Sequence, residues 1–334
     1  MSTNARHQAL LSEYKGNLFE FLVGSALSRK LSLEVVFLKG LSLEFKKMLQ
    51  IQESFIREFY SHLLVDLPIL ADKLSDEIIE SLEISNKNIS DIVIVGKVAL
   101  ASQNDQFAEA DIILKSKEVF FPISVKLSKA NAFVNTKSAG LKSFMSKYFR
   151  MCEPDRIDSY QDEFNNKVDI ILNEFGREIC SFNDLSFDGS FSEWIIAGKT
   201  CLSGELNKDE RVIYKKMLYR LNKEIYDVLR FLYEKEPIGF SKEALSLIGF
   251  GDESVIQATS YYKAGIGKYN YFKSHVEKYT ELKGDSSICQ FGDLKKSAAN
   301  FDLFFDNRIL QIRVKAMNKF THKSFKLNCS VKIN

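Results

Sequence analysis

Asp111 and Lys126 carry the residue types that phosphate chemistry needs, at a spacing that two neighbouring strands would close. Hydrolysis of a phosphodiester requires a divalent metal to neutralise the developing charge, an activated water and in-line geometry. Mg2+ prefers oxygen ligands and is held by one or two carboxylates together with phosphate oxygens. Asp111 supplies one carboxylate, with Glu20 or Glu109 to help it. Lys126 supplies a cation that orients or helps deprotonate the water and offsets phosphate charge. Ser124 precedes Lys126 by two residues, so an extended chain puts both on one side. From Phe121 to Arg150 there are six basic residues and no acidic one. Such a run suits a polyanion, and it is also the composition of a solvated face.

The elements that must position these residues follow from hydrophobic periodicity. Residues 9–29 are predicted as a helix, with Leu10, Tyr14, Leu18, Phe21, Leu22 and Ala26 at helical spacing. Within it Gly16, Glu20 and Gly24 are four apart and share a face. Each glycine costs a helix about 1 kcal/mol relative to Ala. Close approach of a backbone, a metal or a phosphate would explain that cost; so would packing against a neighbouring element. Residues 41–82 are predicted as a long helical stretch broken near Pro68, serving as scaffold. Strands are expected at 92–95, at 109–114 and at 119–127, the last two joined by a turn at 115–117. A helix is expected from Lys137 to Phe149, another from Pro154 to Phe175, and a third after Asn207, which has Glu210 three residues on as in a capping box.

Asp111, a twelve-residue gap and Ser124-Val-Lys126 resemble the motif of the PD-(D/E)xK nucleases, with Ser124 in place of the second acid. Lys15-Gly-x-x-x-Glu20 resembles the helix that precedes that motif in many members. The string from Ser124 to Gly140 is most similar to type II restriction endonucleases, and the resemblance covers roughly residues 10 to 150. It implies an α/β (α+β) fold with a restriction-endonuclease-like core, a mixed central sheet flanked by helices, and added helical and C-terminal β elements. It implies a catalytic core over residues 1–180 and a recognition and dimerisation region over 181–334. The activity expected is sequence-specific, Mg2+-dependent cleavage of double-stranded DNA by a homodimer, with a cognate DNA methyltransferase in the same system. Asp111, Lys126, Glu20 and Ser124 are the catalytic candidates, and Asp111, Glu20 and Glu109 the metal ligands. A repair or recombination nuclease, and a DNA-binding protein with a degenerate core, are the rival expectations.

DNA contacts are expected from Lys129, Asn131, Asn135, Lys137 and Lys142 in the basic segment. In the C-terminal half Phe301–Phe305 and Arg308–Val314 make a β-hairpin, followed by a strand over 325–333. Gln311, Arg313 and Lys315 alternate on one face there, with Asn318 beyond, and bases are read by such side chains. The stretch from Tyr261 to Lys273 interleaves five aromatics with three lysines, Lys268 among them. It suits phosphate contact or stacking on a displaced base, and equally a core of aromatics edged by surface lysines.

Other chemistries fit poorly. Ala197-Gly-Lys-Thr200 ends like a phosphate loop, but Glu193 stands where its first glycine is required. The five cysteines have no CxxC pair and the four histidines are scattered, against a zinc site, a disulfide framework or a His-based hydrolase. Among 334 residues, 45% are hydrophobic and 27% charged, the profile of a globular protein, and no apolar run approaches membrane-spanning length. A cytoplasmic protein with reduced thiols is the expectation.

Overall fold

The computed structural model describes residues 2–95, 110–117, 119–248, 255–278, 288–294, 300–316, 319–321 and 325–333. In chain order the N-terminal helices are α1 (Ser2–Lys30), α2 (Glu34–Gly40), α3 (Leu43–Phe59) and α4 (Leu63–Ser81). Strands β1 (Ile89–Ile94), β2 (Ile112–Ser116), β3 (Phe120–Lys129) and β4 (Val134–Gly140) follow. Next come α5 (Phe144–Tyr148), α6 (Ile157–Ser181), α7 (Ser192–Ile196), α8 (Lys208–Lys235) and α9 (Pro237–Leu245). The chain closes with β5 (Ile256–Gly265), β6 (Lys268–Lys278), β7 (Gln290–Phe291), β8 (Asn300–Phe305), β9 (Arg308–Ala316) and β10 (Phe325–Ile333).

Two compact units divide these elements. One comprises Thr3–Ala132 and Phe250–Asp285; the other comprises Met1–Ser2, Phe133–Gly249 and Ser286–Asn334. The first holds a mixed α/β arrangement built on a five-stranded sheet of order β1-β2-β3-β5-β6. Its pairs are antiparallel except β3 with β5, which run parallel from Ile123 opposite Ile256 to Lys129 opposite Tyr262. Parallel neighbours need a long crossover. Here the chain between β3 and β5 is the body of the second unit, so the units interleave in sequence rather than meeting near residue 180.

The central strands are buried on both faces: Ile112, Ile113 and Leu114 of β2, and Ile123, Ser124 and Val125 of β3. Of these, Ile112, Leu114, Ile123 and Val125 join Phe19, Val23 and Leu27 of α1 and Leu67, Leu70 and Leu74 of α4 in one core. Full burial of each such side chain contributes about 1.5–3 kcal/mol. The side chain of Ser75 reaches from α4 to the Val23 carbonyl of α1 at 3.4 Å.

Three sequence expectations change. The helical break falls at Tyr60–His62, and Pro68 lies inside α4, where flanking Leu67 and Leu70 are fully buried and packing outweighs the lost hydrogen bond. The basic residues from Lys137 onward do not begin a helix, because residues 134–140 pair with β10. Residues 256–278, with no strand expected, form the hairpin β5–β6.

The second unit carries an antiparallel sheet of order β4-β10-β9-β8-β7. Its apolar face includes Phe301, Leu310, Ile312 and Leu327. This face packs on α8, where Tyr226 meets Phe301 edge-on at 5.2 Å and Asn222 accepts the Val314 N–H at 3.0 Å. The other face carries Asp302, Gln311, Arg313 and Lys315 together with Phe304 and Ile309. The expected capping box starts α8: the Asn207 side chain accepts from Asp209 and Glu210 N–H, and Glu210 accepts from the Asn207 N–H at 2.8 Å. Asn207→Ala removes this reciprocal cap and lowers stability by about 1 kcal/mol. Urea unfolding should show a lower midpoint with an unchanged slope.

Candidate functional site

Asp111 sits at the residue before β2, where the ladder ends. Its N–H donates to the Ile123 carbonyl at 2.9 Å, and its own carbonyl accepts from Val95 N–H at 3.0 Å. The backbone of Asp111 is thus held from both neighbouring strands, and its side chain takes over the next rung. Oδ2 accepts the Val125 N–H at 2.7 Å and the Ser124 hydroxyl at 3.2 Å. Lys126 Nζ stands 3.5 Å from the same oxygen. Asp111, Ser124 and Lys126 are therefore one cluster, as the spacing predicts. The side chains of Asp111 and Lys126 are 19% and 30% exposed, so the ion pair opens to solvent, while Ser124 is 7% exposed.

Glu20 is half-buried on α1. The contacts of that helix give its course. Lys15 Nζ lies 3.4 Å from both the Tyr262 and Tyr269 hydroxyls, on β5 and β6. Gly24, further along, abuts the Phe37 ring and the Ile94 side chain of β1. These anchors lie on the sheet face of Ile112, Leu114, Ile123 and Val125, against which α1 packs, whereas the pleat of β3 turns Ser124 and Lys126 to the opposite face. The contacts of α1 therefore do not join Glu20 to Asp111. A Cβ on Gly24 would meet Phe37 ring atoms at 3.1 Å, so packing explains that glycine. A Cβ on Gly16 would meet nothing within 4 Å. Glu109 lies outside the described residues.

The expected DNA contacts separate into the two units. In the first, Lys129 ends β3 exposed, Asn131 takes a left-handed backbone (φ 63°) beside it, and Lys268 opens β6, exposed. In the second, the sheet face away from α8 carries cross-strand rows. One row joins Asn135, Ser330, Gln311 and Asp302, with Ser330 donating to Asn135 at 2.8 Å and Gln311 to Asp302 at 3.2 Å. In the next, Arg313 donates to Asn328 at 3.1 Å. Lys315 is exposed opposite Lys326. Lys137 does not share this face: at 7% exposure it lies on the buried side with Cys329, because the bulge at Cys329/Ser330 shifts the register. Lys142 pairs with Asp169 at 2.6 Å. Asn318 lies outside the described residues.

No family model, characterised protein or solved structure matches this chain. Its chemistry therefore rests on the geometry. Among the described residues no three His, Cys, Asp or Glu side chains gather as a metal cage. Mg2+ does not require one, since one or two carboxylates with waters and substrate phosphate suffice. Asp111, whose three contacts all fall on Oδ2, supplies one carboxylate toward that minimum.

A tyrosine pair on the hairpin β5–β6 was not identifiable as a unit from sequence. The rings of Tyr262 and Tyr269 stack at 4.0 Å under Lys15, and the buried Asp66 accepts the Tyr269 N–H at 2.7 Å. Burial, then the adjoining Tyr269 hydroxyl, pushes the Tyr262 phenol well above its ordinary value, so it is a neutral donor. The sequence offers Lys15 and the aromatic stretch from Tyr261 as separate signals, some 250 residues apart.

The Ser124–Asp111 contact makes a test possible without any activity assay. Ser124→Asp places a second carboxylate against the first, and like charges at such range disfavour joint ionisation. The variant should melt below the wild type in EDTA and recover more than it on addition of Mg2+ or Mn2+. An equal deficit with and without metal would count against a metal at this position.

Proposed function

We propose that the chain is a Mg2+-dependent endonuclease of double-stranded DNA with a restriction-endonuclease-like core. The observation that carries this reading is the convergence of Asp111, Ser124 and Lys126 on one solvent-open point at the end of β2. A bound Mg2+ would neutralise phosphate charge and acidify a water. The protein's own groups supply the rest. Asp111 is fixed by two hydrogen bonds on one oxygen and keeps the other for a ligand. The Lys126 ammonium, beside it, donates to a non-bridging phosphate oxygen or orients the attacking water. Ser124 buttresses the carboxylate, and Glu20 on α1 is the second carboxylate that the resemblance implies. The face of β8–β10 away from α8 offers Arg, Gln and Asn side chains, the types that read base edges in the major groove. Sequence-specific restriction is the activity this combination suits, with a two-fold dimer to cut both strands and a methyltransferase to protect the host.

One observation favours a second reading: Ser124 stands where the motif has its second acid, and it meets Asp111 with a hydroxyl rather than a carboxylate. A DNA-binding protein with a degenerate core would have this feature. Plasmid DNA incubated with the protein and Mg2+ separates the two. Discrete bands are expected; salt-sensitive binding without cutting would support the second reading. Asp111→Asn, which keeps an acceptor for the Val125 N–H, and Lys126→Ala should each lower cleavage by roughly 10²-fold or more with melting close to wild type. Undiminished cutting by both would exclude this site.

A further inference from the structure

The hairpin β5–β6 grows from the strand that runs beside Ser124 and Lys126. Lys126 is level with Thr259 and Lys129 with Tyr262, after which β5 continues past the end of β3 to Gly265. The hairpin therefore projects beyond the sheet on the side of the candidate site. From residue 256 to 276 it contains three lysines and no acid. Tyr261 and Tyr262 are buried, so the stacking role suggested by the sequence does not fall to them.

The tip presents something else. Gly265 pairs with Lys268 across a two-residue loop, in which Gly267 has a positive φ of 60° and Ile266 does not. Such loops favour Asn, Asp or Gly, so the turn itself gives no reason for a β-branched apolar residue. Ile266 is nonetheless there and wholly in solvent, at 107% relative exposure. Exposed Lys263 and Lys268 flank it, and Lys263 lies over the Phe272 ring at 4.5 Å. An apolar tip between lysines, on an acid-free ribbon, has the chemistry of side chains that enter the DNA minor groove and part a base step.

We propose that the β5–β6 hairpin is a second duplex contact, in which Lys263 and Lys268 hold phosphates and Ile266 wedges into a base step. This rests on the DNA reading of the Asp111–Lys126 cluster. From Thr259 to Ile266 the strand advances about 23 Å. That is roughly seven steps of 3.4 Å along the duplex, so the wedge lies about two-thirds of a turn from the scissile phosphate.

The experiment uses the full chain in EDTA with a mixed-sequence 30-base-pair duplex carrying dyes at both ends. Anisotropy gives affinity against salt, and energy transfer between the ends gives bending. Wild type should bind and shorten the end-to-end distance. Lys263→Gln with Lys268→Gln should reduce the salt slope by about 1.8, so the loss of affinity from 50 to 200 mM salt falls by about tenfold. Ile266→Ser should keep the slope but lose the bend, and Ile266→Leu should retain it. Wild-type slope and bend in all three variants would overturn the hairpin contact while leaving the DNA reading intact. A change in subunit association by these variants, with DNA binding unaltered, would overturn it in favour of a protein partner. No binding by wild type would overturn both.

Discussion

The N–H of Val125, donated to the side chain of Asp111 rather than to a backbone carbonyl, is the interaction on which the candidate site depends. A strand continuing regularly would have met β3 with its own carbonyl at that rung. Asp111 instead gives its carbonyl to Val95 and its carboxylate to β3. The ladder ends there, and a negative charge is left at its end with a fixed orientation. Unpaired, the buried Val125 N–H would cost about 1–3 kcal/mol, so the fold itself holds the carboxylate in place. Ser124 and Lys126 then follow from the pleat of β3: one hydroxyl and one ammonium, two residues apart, beside the same oxygen.

The two helices over the sheet have different tasks. α4 seals the core with a nearly continuous row of buried leucines, and it tolerates Pro68 because that row is packed. α1 is pinned at Lys15 by the stacked tyrosines and at Gly24 by Phe37. The hairpin that supplies the tyrosines also continues outward to Ile266, so one ribbon serves both the helix and the proposed DNA contact.

Much of this was legible in residues 10–127. Period-two alternation in 119–127 predicts Lys126 and Ser124 on one side, and the capping box at Asn207 and the hairpin at 301–314 are read from local chemistry. The interleaving of the units was not legible, because the parallel pairing of β3 with β5 joins residues more than 130 apart and leaves no local trace. The segment 134–140 has the composition of a helix start and is strand only because β10, near the C-terminus, pairs with it. Lys137 reads as a surface cation, yet a one-residue bulge in that same pairing turns it to the buried side. The tyrosine pair belongs to the same class: its partners meet only through tertiary packing.

The central claim is that a divalent metal is held at Asp111, where the end of β2 meets the middle of β3. Replacing Mg2+ with Fe2+ and adding ascorbate and peroxide cuts a polypeptide next to the bound iron, and mass spectrometry maps the cuts. Cleavage near Asp111 and near Ser124–Lys126, suppressed by excess Mg2+, is the predicted result. Cuts confined to other segments, or cuts that excess Mg2+ leaves unchanged, would contradict it.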